Sequence, residues 1–194
     1  MNLRFLLKSL LVSAGLLAGG PVLAADVQTN TPPAAAAPKV YAQAYGSWTY
    51  RCQEGLGKDQ KIMTKCMVLQ NMGVKKDNRF FSLAVLMFSK ADDHAGYDVS
   101  ALVPMGVLLP PGIKLSVDQM APLRHTIDFC AVNSCAVEPQ PAGNLTSAFR
   151  GGKTGHLVFM LRNGHPFTVN FSLNGFSDAM AALDSGKLPP EVKG

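Results

Sequence analysis

Four cysteines and four histidines carry most of the chemical potential in this sequence. Cys52, Cys66, Cys130 and Cys135 have spacings of C-x13-C and C-x4-C. A zinc site usually shows a tight C-x2-C knuckle and needs free thiolates, so these spacings do not favour zinc. Two disulfides are the better expectation for an even count. Three pairings are open to four cysteines; the local one, Cys52–Cys66 with Cys130–Cys135, is favoured because each pair closes a short loop. His94, His125, His156 and His165 include no pair at the i, i+4 spacing of a helical metal site. Only His125 draws notice, because it shares an alternating face with Leu123, Ile127 and Phe129. A lone histidine there reads first as a hydrogen-bonded core or edge residue.

Other candidates fail on spacing. Gly151-Gly152-Lys153-Thr154 resembles the end of a phosphate-binding loop, but that motif needs glycine where Ser147 stands. Asp92-Asp93 reads as a loop pair rather than an acid–base couple, and no G-x-S-x-G elbow is present. The methionines are scattered among apolar runs without M-x-M spacing, as core filler would be. The sequence therefore offers no catalytic, cofactor-binding or metal-binding residues.

The elements that hold these residues read as β-structure. Trp48, Tyr50 and Cys52 alternate with Ser47, Thr49 and Arg51, which predicts a half-buried strand. "IMTKCMVLQ" and "FFSLAVLMF" have strand length, the second continuous enough to predict burial on both faces, with Gly73 to Asn78 between them as a charged turn. "IKLSVD" and "LRHTIDF" alternate, the latter with Leu123, Ile127 and Phe129 inward. "HLVFMLRNGHPFTVNFSL" predicts a hairpin with Asn163-Gly164 in a type I′ turn. One short helix should follow, capped by Ser177, with Met180, Ala181 and Leu183 inward and Gly186 as its stop. A weaker helical turn is expected near Leu145 to Phe149. Pro110 and Pro111 cannot donate ladder hydrogen bonds, and Gly112 tolerates positive φ. That segment predicts a corner where the chain changes sheets or turns an edge. The expected fold is an all-β sandwich of mainly antiparallel strands with one short C-terminal helix.

The ends of the 194-residue chain suggest an address. Arg4 and Lys8 precede a short apolar run, and Gly19-Gly20-Pro21 breaks it before Val22-Leu23-Ala24. Residues 1–24 read as a secretory signal, cleaved before Ala25, and the apolar run is too short to span a bilayer stably. No cysteine precedes Cys52, so a lipoprotein anchor at the cleavage site is not expected. No later stretch approaches spanning length. Residues 25–43 read as a Pro/Ala-rich flexible leader, 44–188 as the sandwich domain and 189–194 as a tail. The signal holds two of the basic residues behind the formal charge of +5, leaving +3. Such a modest, dispersed charge does not predict nucleic-acid binding, and Lys58, Lys61, Lys65, Lys75, Lys76 and Arg79 read as solvated loop and edge charges.

Several of these features occur together in one family. Gly46-Ser47-Trp48 with Cys52 and Cys66, the segment from Val103 to Gly112, the Cys130/Cys135 pair and Leu173-Asn174-Gly175-Phe176 resemble the invasion-associated locus B family. The likeness runs from about Tyr45 to Gly186, and its most specific part is the proline–glycine corner. Ser134 departs from the glycine expected before the last cysteine. The resemblance implies an exported bacterial β-sandwich, periplasmic or at the cell surface, associated in some pathogens with host-cell invasion. It implies no catalytic residues and no cofactor. Its partner would be an unidentified envelope or host protein. The competing expectation is a small periplasmic ligand-binding protein or hydrolase with a pocket in the sandwich, for which His125 is the support.

Overall fold

The computed structural model describes residues 38–57 and 59–192. The expected signal, most of the leader, Lys58 and the last two residues lie outside that range. Among the described residues eleven strands and two helices follow one another: β1 (Val40–Tyr45), β2 (Trp48–Leu56), β3 (Ile62–Lys76), β4 (Arg79–Lys90), β5 (Tyr97–Pro104), β6 (Ile113–Val117), β7 (Leu123–His125), β8 (Phe129–Cys130), β9 (Ser134–Pro141), α1 (Leu145–Gly151), β10 (Thr154–Met160), β11 (Pro166–Ser172) and α2 (Phe176–Ser185). They form a seven-stranded sheet in the order β1-β2-β3-β4-β5-β9-β8 and a four-stranded sheet in the order β11-β10-β6-β7. Every pairing is antiparallel. Over the described residues the molecule is an all-β sandwich with the expected C-terminal helix, α2, and the helical turn expected near Leu145 is the short helix α1.

Alternation builds the core. Trp48, Tyr50 and Cys52 of β2 are buried, as are Ala84, Leu86 and Phe88 of β4 and Ile113, Leu115 and Val117 of β6. The two sheets bury these faces against one another. The ring of Trp48 lies 4.9 Å from Phe176, 6.1 Å from Phe88 and 6.3 Å from Phe171, and its Nε1 donates to the Ser172 carbonyl at 3.2 Å. One side chain of the large sheet is thereby tied to the small sheet and to α2. Helix α2 presents Phe176, Ala179, Met180 and Leu183 inward, an i, i+3, i+4, i+7 stripe that packs on β1–β3. The residue before it, Gly175, has φ of +87°, and a Cβ there would lie 2.0 Å from the Tyr45 carbonyl oxygen. Only glycine fits that approach. The tryptophan opening and the closing Asn174-Gly175 segment therefore interlock, Ser47 N–H donating to the Asn174 carbonyl at 3.0 Å.

Pro110-Pro111-Gly112 lies between β5 of the large sheet and β6 of the small one, so the chain changes sheets there. Gly112 has φ of +67°, and its N–H donates to the Leu109 carbonyl at 2.9 Å.

Several expectations need correction. The sheet begins at Val40, inside the stretch read as leader, and the tail returns to it: Val192 N–H donates to the Val40 carbonyl at 2.8 Å. Asn163 does not have positive φ, whereas Gly164 does at +80°, which gives the three-residue hairpin loop with a left-handed glycine rather than a type I′ turn. Helix α2 starts at Phe176 with Gly175 as its cap, not Ser177, and Ala181 is exposed, because the inward stripe passes through Ala179 instead. Strand β4 buries only one face. "LRHTIDF" is divided between the two sheets, and Phe129 faces solvent.

Candidate interaction surface

The residues singled out for chemistry are placed apart. His125 is buried, its Nδ1 lies 3.2 Å from Gln140 Oε1, and Nε2 has no partner. The amide oxygen is an acceptor, which assigns the proton to Nδ1. Burial holds the imidazole below its ordinary pKa, partly opposed by the Gln140 hydrogen bond. Among the described residues no carboxylate hydrogen-bonds to this ring. It is a neutral core histidine with an amide neighbour, without the acid partner that a hydrolytic dyad requires. Asp92 and Asp93 diverge, toward Lys65 at 3.5 Å and His94 at 2.8 Å. The backbone N–H groups of Lys153 and Thr154 donate to the Asp118 carboxylate at 3.1 and 3.0 Å. The glycine-rich segment thus already holds an anion supplied by the protein itself, and these bonds lower the Asp118 pKa.

The cysteine sulfurs meet in two pairs. Cys52 and Cys66 are opposite one another on β2 and β3, with sulfurs 2.07 Å apart. Cys130 and Cys135 face each other across β8 and β9 at 2.00 Å. Among the described residues no cluster of three or more His, Cys, Asp or Glu side chains could hold a metal ion. None of the helices among them is long and apolar enough to cross a membrane.

What the fold displays is an arm. The last β2–β3 pair is Thr49↔Leu69, and the β4–β5 pairing begins at Val85↔Leu102. Past those points β3 and β4 pair only with each other, as far as Lys76↔Arg79. Asp77 and Asn78 close the ribbon with φ of +49° and +57°, the two left-handed residues of a type I′ turn. The segment expected as a charged turn is therefore mostly strand. At its base the register shifts between Met72 and Gly73, the kind of bulge that bends and twists a ribbon.

The arm is both apolar and basic. Val74, Phe80 and Phe81 are 50%, 49% and 45% exposed. Val74 and Phe81 are opposite each other, continuing the core-side face, whereas Phe80 lies on the other face and reaches across Gly73. Arg79 stacks over Phe81 with its guanidinium carbon 5.8 Å from the ring centroid. Lys75, Lys76 and Arg79 outnumber Asp77, and none of the three forms an ion pair among the described residues. Exposed Met105, Phe129 and Val132 cluster at the same end of the large sheet, around the β8–β9 turn. A cleft of about 210 Å³ joins the two regions, lined by Ser82, Leu83, Leu102, Pro104, Asn133 and Ser134. Scattered exposed apolar residues are ordinary, but a group gathered at one end of a sheet marks a contact surface.

Comparison with known proteins agrees with this architecture. The model of the Invasion associated locus B (IalB) protein family matches residues 48–184. A solved structure, the crystal structure of invasion associated protein b from Bartonella henselae, is similar with a TM-score of 0.60 and 25% sequence identity, over 74% of this chain and 96% of that one. No curated protein is significantly similar to this chain. The chain belongs to the invasion-associated locus B family.

Proposed function

We propose that this chain is an exported, non-enzymatic protein of the cell envelope, periplasmic or surface-associated, that works through contacts made by the β3–β4 arm and the adjoining end of the large sheet. The observation that carries this reading is the placing of Val74, Phe80 and Phe81 in solvent beside three unpaired basic side chains. Keeping aromatic rings wet on a projecting ribbon is unfavourable for an isolated domain, and a partner that covers them removes that cost. The short signal-like leader and the paired cysteines support export to an oxidising compartment. The similar Bartonella protein is described as invasion-associated. An invasion role for this chain is the finer reading, with an envelope or host protein as its partner.

The test is affinity capture. The exported protein, with N-terminal sequencing beginning at Ala25, is used to retrieve components from envelope extracts, with identification by mass spectrometry. The expected result is a specific set of components that the Phe80→Ser/Phe81→Ser variant fails to retrieve. Equal retrieval by that variant would remove the arm from the function.

A further inference from the structure

Resting on that reading, we infer that the arm docks the protein onto the surface of an anionic phospholipid bilayer. The geometry points to lipid rather than to another protein. A partner protein laid against a two-stranded ribbon covers one face, but here both faces are apolar: Val74 and Phe81 on one, Phe80 on the other. The boundary between headgroups and acyl chains surrounds a ribbon and accepts rings from both sides. Gly73–Lys76 forms one strand of the free ribbon, four residues or roughly 13 Å at about 3.3 Å each. An amphipathic element lying in the interface buries its apolar side chains roughly 5–10 Å deep, and that length of ribbon sets its footprint along the surface.

Charge points the same way. Lys75, Lys76 and Arg79 carry three positive charges against the one negative charge of Asp77. Long basic side chains next to aromatic ones can stretch to phosphates while the rings sit lower. The polar Asp77-Asn78 turn disfavours insertion tip-first, so the ribbon lies along the headgroup layer. Phe129, Val132 and Met105 at the same sheet end then face the membrane as a second, shallower contact. Val132, 90% exposed on the β8–β9 turn, is the most exposed of them. The Cys130–Cys135 pair at the base of that turn fixes how it is presented.

The experiment is co-flotation of the processed, oxidised protein with vesicles of equal parts phosphatidylcholine and phosphatidylglycerol, and with phosphatidylcholine alone. Binding should require the anionic lipid and weaken as salt rises. Lys75→Glu/Lys76→Glu/Arg79→Glu and Phe80→Ser/Phe81→Ser should each bind at least roughly tenfold more weakly, given the contribution of each basic residue near such a surface. Trp48 emission, from the core, should be unchanged in both. A Phe80→Trp variant gives an independent reading. Its added emission should shift to the blue and be quenched by brominated acyl chains only with anionic vesicles, while buried Trp48 does not respond. Absence of wild-type flotation, or flotation that survives both arm variants, would overturn the proposal. If vesicles are not bound but envelope proteins are still captured through the arm, the lipid assignment falls and the contact reading stands. If vesicles are bound through the arm and no protein is captured, lipid is the contact.

Discussion

Two buried side chains show how single residues hold this sandwich and what the sequence reveals of them. Trp48 is fully buried among Phe88, Phe149, Phe171 and Phe176, and its alternation with Tyr50 and Cys52 places it inward from sequence alone. Trp48→Ala should cost about 3–5 kcal/mol, the usual loss for truncating a large core aromatic, and shift the denaturant midpoint accordingly. An unchanged midpoint would mean that the aromatic cluster does not hold the sheets together. His125 is a subtler case. The folded chain keeps it neutral at pH values where the unfolded chain has already bound a proton, so acid favours unfolding. Its contribution is complete above the unfolded value of about 6.5 and is lost as pH falls toward the lower folded value. Denaturant midpoints between about pH 7 and pH 5 should fall in the parent, and His125→Gln should flatten that slope. Asp118, whose carboxylate is held low by two backbone amides, acts in a separate window, near and below about pH 4. An equal slope in the histidine variant would mean that another group controls this range.

Among the elements, legibility followed alternation and failed where polar residues interrupt it. Strands β2, β6, β10 and β11 present alternate faces and can be read directly. The arm was hidden, because "GVKKDNRF" has the composition of a loop and its strand content comes from cross-strand pairing rather than burial. The Asp77-Asn78 dipeptide was the available signal, since both residue types tolerate left-handed φ. Asn163-Gly164 looked stronger and formed a different loop. Strand β1 is obscured for another reason: Val40–Tyr45 is short and adjoins a Pro/Ala-rich stretch, and its place comes from register with β2 and from the returning tail. The cysteine pairs belong to this scale too, each bridging directly opposed residues of neighbouring strands. Peptide mapping of the protein without reduction should recover Cys52 joined to Cys66 and Cys130 joined to Cys135. Cys52→Ala/Cys66→Ala should lose roughly 2–3 kcal/mol on the loop-entropy model. A peptide joining Cys52 to Cys130 would contradict the strand order of the large sheet.

For the molecule as a whole, one end combines exposed apolar side chains with unpaired basic ones, whereas Leu56, Ile62 and Met63, exposed at the far end of the β2–β3 ribbon, lie beside Lys61 and Lys65 that are paired with Asp59 and Asp92. The sandwich interior is filled by a continuous apolar core, with α2 completing the cover over β1–β3. Chemistry-bearing side chains are dispersed, and what is gathered is the group of exposed apolar and basic side chains around the arm and the β8–β9 turn. No short motif announces such a surface, because it is assembled from β3, β4, β5, β8 and β9 by the order of strands in the sheet. Sequence could supply the family resemblance and the sandwich; the contact surface needed the registers. The most direct test is site-specific photo-crosslinking in living cells. One probe replaces Phe81 on the arm, and a control replaces Leu56, which is more solvent-facing still, at the opposite end of β3's pairing with β2. Adducts with envelope components should form from position 81 and not from position 56. Adducts from position 56 alone, or from neither, would contradict the assignment of function to the arm.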